Sequence, residues 1–167
     1  DGGPGTDLVG YLDITAAVTV DLSVTVAQNT VGAGFDTITN VEGVAGGSGN
    51  DTLRGDANAN VFYGNNGNDL IEGRGGNDTL SGQEGNDNLR PGTGDDLVDG
   101  GNGVDMVGYV DAPAAVIVDL AVTGVQNTGG AGLDRIVNVE NLAGGAFDDV
   151  LRGTSGANTF YGNAGAD

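Results

Sequence analysis

GGSGNDTLR (Gly46–Arg54), GDANANVFY (Gly55–Tyr63), GNNGNDLIE (Gly64–Glu72), GRGGNDTLS (Gly73–Ser81), GQEGNDNLR (Gly82–Arg90), PGTGDDLVD (Pro91–Asp99) and GGNGVDMVG (Gly100–Gly108) follow one another without a gap. Position four is Gly in every block but the second, which has Asn58. Position six reads Asp51, Asn60, Asp69, Asp78, Asp87, Asp96 and Asp105, and position eight is always apolar: Leu53, Phe62, Ile71, Leu80, Leu89, Val98, Val107. A fixed period of this kind means one structural unit stacked on its neighbours.

The chemistry of one block follows from its residues. Gly, Asn and Asp dominate the first six positions, and these residues tolerate positive φ and tight turns. The last three, such as Thr52-Leu53-Arg54, make a very short strand with one side chain inward. A block is therefore a turn plus a strand, and two blocks make a coil of roughly 18 residues. Stacked coils place the turns in two columns, one holding Asp51, Asp69, Asp87 and Asp105, the other Asn60, Asp78 and Asp96. Neighbouring strands lie about 4.8 Å apart, and carboxylates that close repel unless a cation lies between them. Carboxylate and carbonyl oxygens in a flexible turn suit Ca²⁺; Mg²⁺ demands a tighter octahedron.

The blocks resemble the G-G-x-G-x-D-x-U-x repeat of RTX proteins, most closely in Gly46–Arg54 and Gly100–Gly108. The resemblance implies an all-β fold, a parallel β-roll or β-helix solenoid with several Ca²⁺ ions between adjacent turns, in a secreted bacterial protein. The second block departs from the pattern at Asn58 and Asn60, so a site there is expected to be weak or absent. Pro91 replaces Gly at the start of the sixth block, which a turn tolerates.

Working outward, GGPGTDLVG (Gly2–Gly10) is a further block, with Asp7 at position six. Tyr11–Leu22 alternates Val18, Val20 and Leu22 with polar residues and predicts a strand with one buried face. Val31–Thr39 reads as another block, with Asp36 at six and Ile38 at eight, and Asn40–Ala45 as a six-residue insert. The whole opening then returns. A shift of 98 residues aligns Asp1–Asp69 with Asp99–Asp167 without a gap, so YLDITAAVTVDL becomes YVDAPAAVIVDL and QNTVGAGFDTITNVE becomes QNTGGAGLDRIVNVE. The expected organisation is one continuous solenoid over 1–167: a unit at 1–98, a partial second copy at 99–167, and the strict run at 46–108. Because it begins and ends in mid-repeat, the sequence reads as part of a longer array.

The expected Ca²⁺ ligands are Asp51, Asp69, Asp78, Asp87, Asp96 and Asp105, with Asp7 and Asp36, and in the second unit Asp134, Asp149 and Asp167. The bland alternative is that Asp merely caps turns. Asp13, Asp21, Asp111 and Asp119 flank apolar strands and read as solvated outer positions or as parts of extra sites. Glu42 and Glu140 recur at matching places and could reach a neighbouring turn. The aromatics Tyr11/Tyr109, Phe62/Phe160 and Tyr63/Tyr161 also come in matched pairs. They suit core or edge packing, and the outward Tyr63 is the one placed for stacking against a sugar.

Composition narrows the function. The 167 residues include 34 Gly, no Cys, no His and only 5 basic residues, all Arg, for a net charge of -19. That charge excludes a phosphate-backbone binder, so no nucleic acid is expected, and it opposes an anionic membrane surface. No apolar run is long enough to span a bilayer, so no membrane insertion is expected. Without Cys there are no disulfides, and an extracellular domain can be stapled by metal instead. Without His or Cys the usual general bases and nucleophiles are missing, and the acids form columns with no unique pair in a pocket, so the fragment is not expected to be an enzyme. Two roles remain open. One is a structural spacer in a secreted or surface protein of adhesin or surface-layer type, with self-association or a carbohydrate or cell-surface contact as further partners. The other is an accessory module of a secreted polysaccharide-modifying enzyme, protease, lipase or haemolysin.

Overall fold

The computed structural model describes residues 1–167. It contains no helix, and its strands gather into two long sheets. The first sheet runs β1 (Leu8–Gly10), β5 (Gly43–Ala45), β7 (Val61–Asn66), β9 (Thr79–Glu84), β11 (Leu97–Asn102), β15 (Leu133–Val137), β14 (Val125–Asn127). The second runs β2 (Thr19–Asp21), β6 (Thr52–Arg54), β8 (Leu70–Glu72), β10 (Asn88–Arg90), β12 (Met106–Gly108), β16 (Asn141–Ala143), β18 (Thr159–Tyr161). Two small pairs complete the fold, β3 (Gln28–Val31) with β4 (Gly34–Asp36), and β13 (Ile117–Asp119) with β17 (Val150–Arg152).

Successive blocks alternate between the sheets, so each strand pairs in parallel with the block two places on. This is a parallel β-roll. One ladder of inward residues runs Val44, Phe62, Leu80, Val98, Ile136, and the other runs Val20, Leu53, Ile71, Leu89, Val107, Leu142, Phe160. Every position-eight residue of the seven-block run is fully buried. Each contributes about 2 kcal/mol of apolar burial, which is what a three-residue strand has to offer in place of length.

Three expectations need correction. Strands β7, β9 and β11 run for six residues rather than three, because pairing continues through the start of the next turn, with Asn65 opposite Gln83 and Asn66 opposite Glu84. Residues 31–39 do not form a turn-strand block; 28–36 is an antiparallel hairpin, with a register shift between Asn29 and Val31 and with Gly34 at φ 105°. The second unit repeats it as β14 against β15. Within Tyr11–Leu22 only Thr19–Asp21 is strand, although Val18, Val20 and Leu22 are buried as the alternation requires.

The insert Asn40–Ala45 contains β5, whose Gly43, Val44 and Ala45 are all buried. Counting in nines backwards from Gly46 puts Glu42 at position six and Val44 at position eight. The stretch therefore ends as a block in frame, with Glu in place of Asp.

Candidate metal centre

The backbone N–H of each position-six residue donates to the carboxylate Oδ1 of the next turn in its column. The first column gives Asp51 to Asp69 (2.7 Å), Asp69 to Asp87 (2.8 Å) and Asp87 to Asp105 (2.7 Å). The second gives Asn60 to Asp78 (2.8 Å), Asp78 to Asp96 (2.7 Å) and, across the hairpin, Asp96 to Asp134 (3.0 Å). Glu140 closes the first column by accepting from Asp105 N–H (2.9 Å), and Glu42 accepts from Asp7 N–H (3.0 Å). Both glutamates thus stand where an aspartate is expected.

One carboxylate oxygen is used in this way, and the other divides the aspartates into two groups. The Oδ2 atoms of Asp69, Asp78, Asp87, Asp96 and Asp105 are buried and have no hydrogen-bond partner; that of Asp7 is likewise buried and unpartnered. In Asp51 both oxygens are taken by backbone N–H groups, Oδ1 by Val18 (2.8 Å) and Oδ2 by Gly47 (2.7 Å). Asp149 repeats this with Val116 (2.8 Å) and Gly145 (2.6 Å). Asp134 is saturated as well: Oδ2 accepts from the hydroxyls of Tyr109 and Thr128, both at 2.8 Å, while Oδ1 takes Asp96 N–H. Asp36 accepts from Tyr11 (3.1 Å) and Thr30 (2.9 Å) on its own hairpin. Asp167 is exposed and accepts from Asp149 N–H (2.8 Å).

The unpartnered oxygens of Asp69, Asp78, Asp87 and Asp105 face glycine at position one, while the block of Asp96 has Pro91 there. A Cβ on Gly64 would collide with Asp69 Oδ2 and lie 2.7 Å from the carbonyl oxygen of Gly82; on Gly82 it would collide with Asp87 Oδ2 and lie 2.5 Å from the carbonyl of Gly100. Glycine at these positions keeps open a space where a carboxylate oxygen from one turn meets a carbonyl oxygen from the next. Three acidic side chains do not converge anywhere. A cation held here would be bound by mixed carboxylate and carbonyl oxygens from two turns, a donor set that suits Ca²⁺.

Burial has a visible cost. It pushes Asp69 and Asp96 up to about 7 and Asp78 and Asp105 up to about 6, the backbone N–H bonds only partly offsetting it and neighbouring carboxylates adding to it. Asp87 is raised by burial too. A column of buried carboxylates with raised proton affinity and one bare oxygen each is a set of groups lacking positive charge.

The model of the RTX calcium-binding nonapeptide repeat (4 copies) matches residues 45–80, 72–107 and 140–167. The chain belongs to the RTX calcium-binding repeat family. RTX repeats bind several Ca²⁺ ions along a run, and the five bare Oδ2 atoms of the strict run lie inside the matched RTX stretch 45–107. Asp7, Asp36 and Asp134 lie outside the RTX matches, whereas Asp149 and Asp167 lie inside one. No curated protein matches the chain.

Among the other candidates, Asp21 is held in a bidentate pair with Arg74 (2.9 and 2.7 Å), and Asp119 Oδ1 accepts from Ala121 N–H. Asp13 and Asp111 are exposed. The second block, expected to be weak, is closed by protein groups. Asn60 Oδ1 accepts from Asp56 N–H (2.9 Å), and Arg74 donates to the carbonyl of Gly55 (2.6 Å). Sequence reasoning missed Arg74, although a lone cation at position two of a glycine-rich turn, one coil from the only position-six Asn of the seven-block run, was there to be noticed.

Proposed function

We propose that this chain is a calcium-stapled spacer that folds on Ca²⁺ outside the cell, within a large secreted or surface protein. The observation that carries the reading is the pair of columns in which Asp69, Asp87 and Asp105, and Asp78 and Asp96, each keep one buried oxygen without a donor. These five are the proposed ligands, together with carbonyl oxygens of the facing turns. Asp7 joins them on the strength of its own unpartnered Oδ2. Asp36, Asp51, Asp134 and Asp149 are proposed as structural acids, since protein donors already hold them, whereas Asp167, with only Oδ1 taken by Asp149 N–H, follows the ligand pattern.

Bound Ca²⁺ supplies the positive charge that the columns lack. Without it the buried carboxylates repel one another, and short strands with one inward side chain each hold too little core to offset chain entropy. The free energy of loading the turns is then folding free energy. A cytoplasm poor in Ca²⁺ would leave the chain loose, while millimolar Ca²⁺ outside the cell would order it, in line with the weak affinity of extracellular modules. The 98-residue duplication and the absence of Cys support an extracellular spacer over a catalytic part.

The test is a Ca²⁺ titration followed by far-ultraviolet circular dichroism and by a count of bound ions. The expected result is a coil-to-strand transition with about five ions per chain at saturation. Full strand signal in excess chelator would sink the folding reading, and a chain that stays metal-free in millimolar Ca²⁺ would sink the ligand assignment.

A further inference from the structure

Part of the roll is closed by its own side chains. Asp51 and Asp149 have both oxygens on backbone N–H groups, and the turns beside them close their carbonyls as well. Asn65 Nδ2 donates to the carbonyl of Gly46, one coil back (2.8 Å), and Asn163 Nδ2 does the same to Gly144 (2.8 Å). Arg74 Nη1 donates to the carbonyl of Gly55 (2.6 Å). All three donors stand at position two of a turn, at φ 73°, 69° and 74° respectively. Later in the strict run the same position offers no such bond. Gln83, at φ 76°, donates to no carbonyl, and Gly92 and Gly101 have no side chain to give.

Further contacts gather in the same stretch of each unit. Gln28 clamps Asp21, its Oε1 accepting from the N–H (2.8 Å) and its Nε2 donating to the carbonyl (3.1 Å); Gln126 clamps Asp119 in the same way (2.8 and 3.2 Å). Arg54 pairs with Glu72 (2.7 Å), and Arg74 brings its positive charge to Asp21. The core is denser here too. Tyr11, Val18, Val20, Leu22, Leu53 and Phe62 are buried, whereas the later blocks bury one large apolar side chain each. The bare oxygens of Asp69, Asp78, Asp87 and Asp105 instead face the carbonyls of Gly82, Pro91, Gly100 and Asn138, all beyond Arg74.

We infer that each unit has two parts with different needs: a calcium-independent base, over 11–74 and again over 109–163, and a calcium-dependent run over 75–108 wound between the bases. The inference rests on the calcium reading above and deepens it, because withdrawal of the ion undoes the run and leaves the bases ordered. Coils of a solenoid touch only their neighbours, so stability is a sum of coil and interface terms. Interfaces closed by amide, guanidinium and N–H donors keep their terms without metal. Interfaces that bury a bare carboxylate oxygen lose theirs. Melting then starts in the run. Refolding on Ca²⁺ starts from coils already formed on either side of it, so no new nucleus is needed.

The test is hydrogen exchange of the full chain, read amide by amide as free Ca²⁺ is lowered. Val18, Thr52 and Val116 report on the bases, where their N–H groups donate to Asp51 Oδ1, the Val18 carbonyl and Asp149 Oδ1. Asn88, Leu97 and Met106 report on the run, donating to the carbonyls of Asp69, Asp78 and Asp87. All six should be protected at saturation, and in excess chelator the run amides should exchange roughly tenfold or more faster than the base amides. Equal loss of protection in both parts at the same free Ca²⁺ overturns the two-part unit and leaves the calcium reading standing. Run amides that stay protected in chelator overturn the calcium reading, and the inference with it. A second chain carries Asn65→Gly and Arg74→Gly, which remove both donors at φ values that glycine accepts. In chelator it should exchange roughly tenfold faster at Val18 and Thr52, with Val116 and the ion count at saturation unchanged. Unchanged exchange at Val18 and Thr52 overturns the part given to these donors.

Discussion

Asp87 and Asp51 occupy the same position of the same repeat, in the same column two coils apart, yet their surroundings differ by one hydrogen bond. Each has one oxygen bonded to a backbone N–H of the preceding coil, from Asp69 and from Val18 respectively. The second oxygen of Asp51 is closed by Gly47 N–H, whereas that of Asp87 is buried and bare. The same motif residue therefore serves two ends. In the middle of the run it offers a charge to be neutralised, and at the start of the run it is already a finished structural element. Asp149 repeats the closed arrangement in the second unit.

The largest expected effect comes from Asp87→Ala. It should remove at least one bound ion and destabilise the Ca²⁺-saturated chain by about 2–3 kcal/mol, a fall in Tm of roughly 5–10 °C by calorimetry. Asp51→Ala sharpens the contrast. It strands the Val18 and Gly47 N–H groups and should lower Tm by a similar or smaller amount, roughly 3–8 °C, with the ion count unchanged. Loss of an ion from Asp51→Ala, or none from Asp87→Ala, would erase the distinction between the two regions.

Acid provides the next test. Asp69 and Asp96, at about 7, and Asp78 and Asp105, at about 6, are raised from 3.8, so the folded chain without metal binds more protons than the unfolded one. Their contribution to stability is complete below about pH 4 and is lost as pH rises through 6 to 7. The strand signal of the Ca²⁺-free chain in circular dichroism should therefore be larger at pH 4.5 than at pH 8, and Ca²⁺ affinity should strengthen over the same rise in pH. A Ca²⁺-free strand signal that increases with pH would contradict the burial of bare carboxylates.

The smallest effect is expected in the second block. Asn60→Asp alone should add no ion, because Arg74 still occupies the Gly55 carbonyl. Asn60→Asp with Arg74→Gly should add one, read by equilibrium dialysis. Glycine suits that position, where Arg74 stands at φ 74°. An ion gained by Asn60→Asp alone would show that Arg74 is no obstacle.

Much of this was legible in the sequence. The nine-residue period fixed which residues point inward, and Leu53, Phe62 and Ile71 are buried as that period requires. It also placed the aspartates in two columns, because stacking follows from the period alone. What the period could not reveal is which carboxylates are already satisfied. The donors to Asp51 and Asp149 include Val18 and Val116, each 33 residues away in a stretch without the motif. The hairpin at Gln28–Asp36 was hidden by GAGFD, which imitates a block while pairing antiparallel. Glu42 was expected to reach a neighbouring turn, and its carboxylate does accept from Asp7 N–H; only its in-frame place at position six stayed hidden, for a plainer reason. A motif search that expects Asp passes over a Glu one methylene longer, even in frame, although the longer side chain reaches Asp7 N–H.

The ladder bonds of this roll run between one coil and the next, along its long axis. Tension applied to the two termini would therefore load the coils one after another, like teeth of a zip, instead of shearing many bonds together. Each coil released would add roughly 60 Å of slack, from 18 residues at about 3.4 Å each. Under such a load the roll would lengthen in steps and rewind as the load fell.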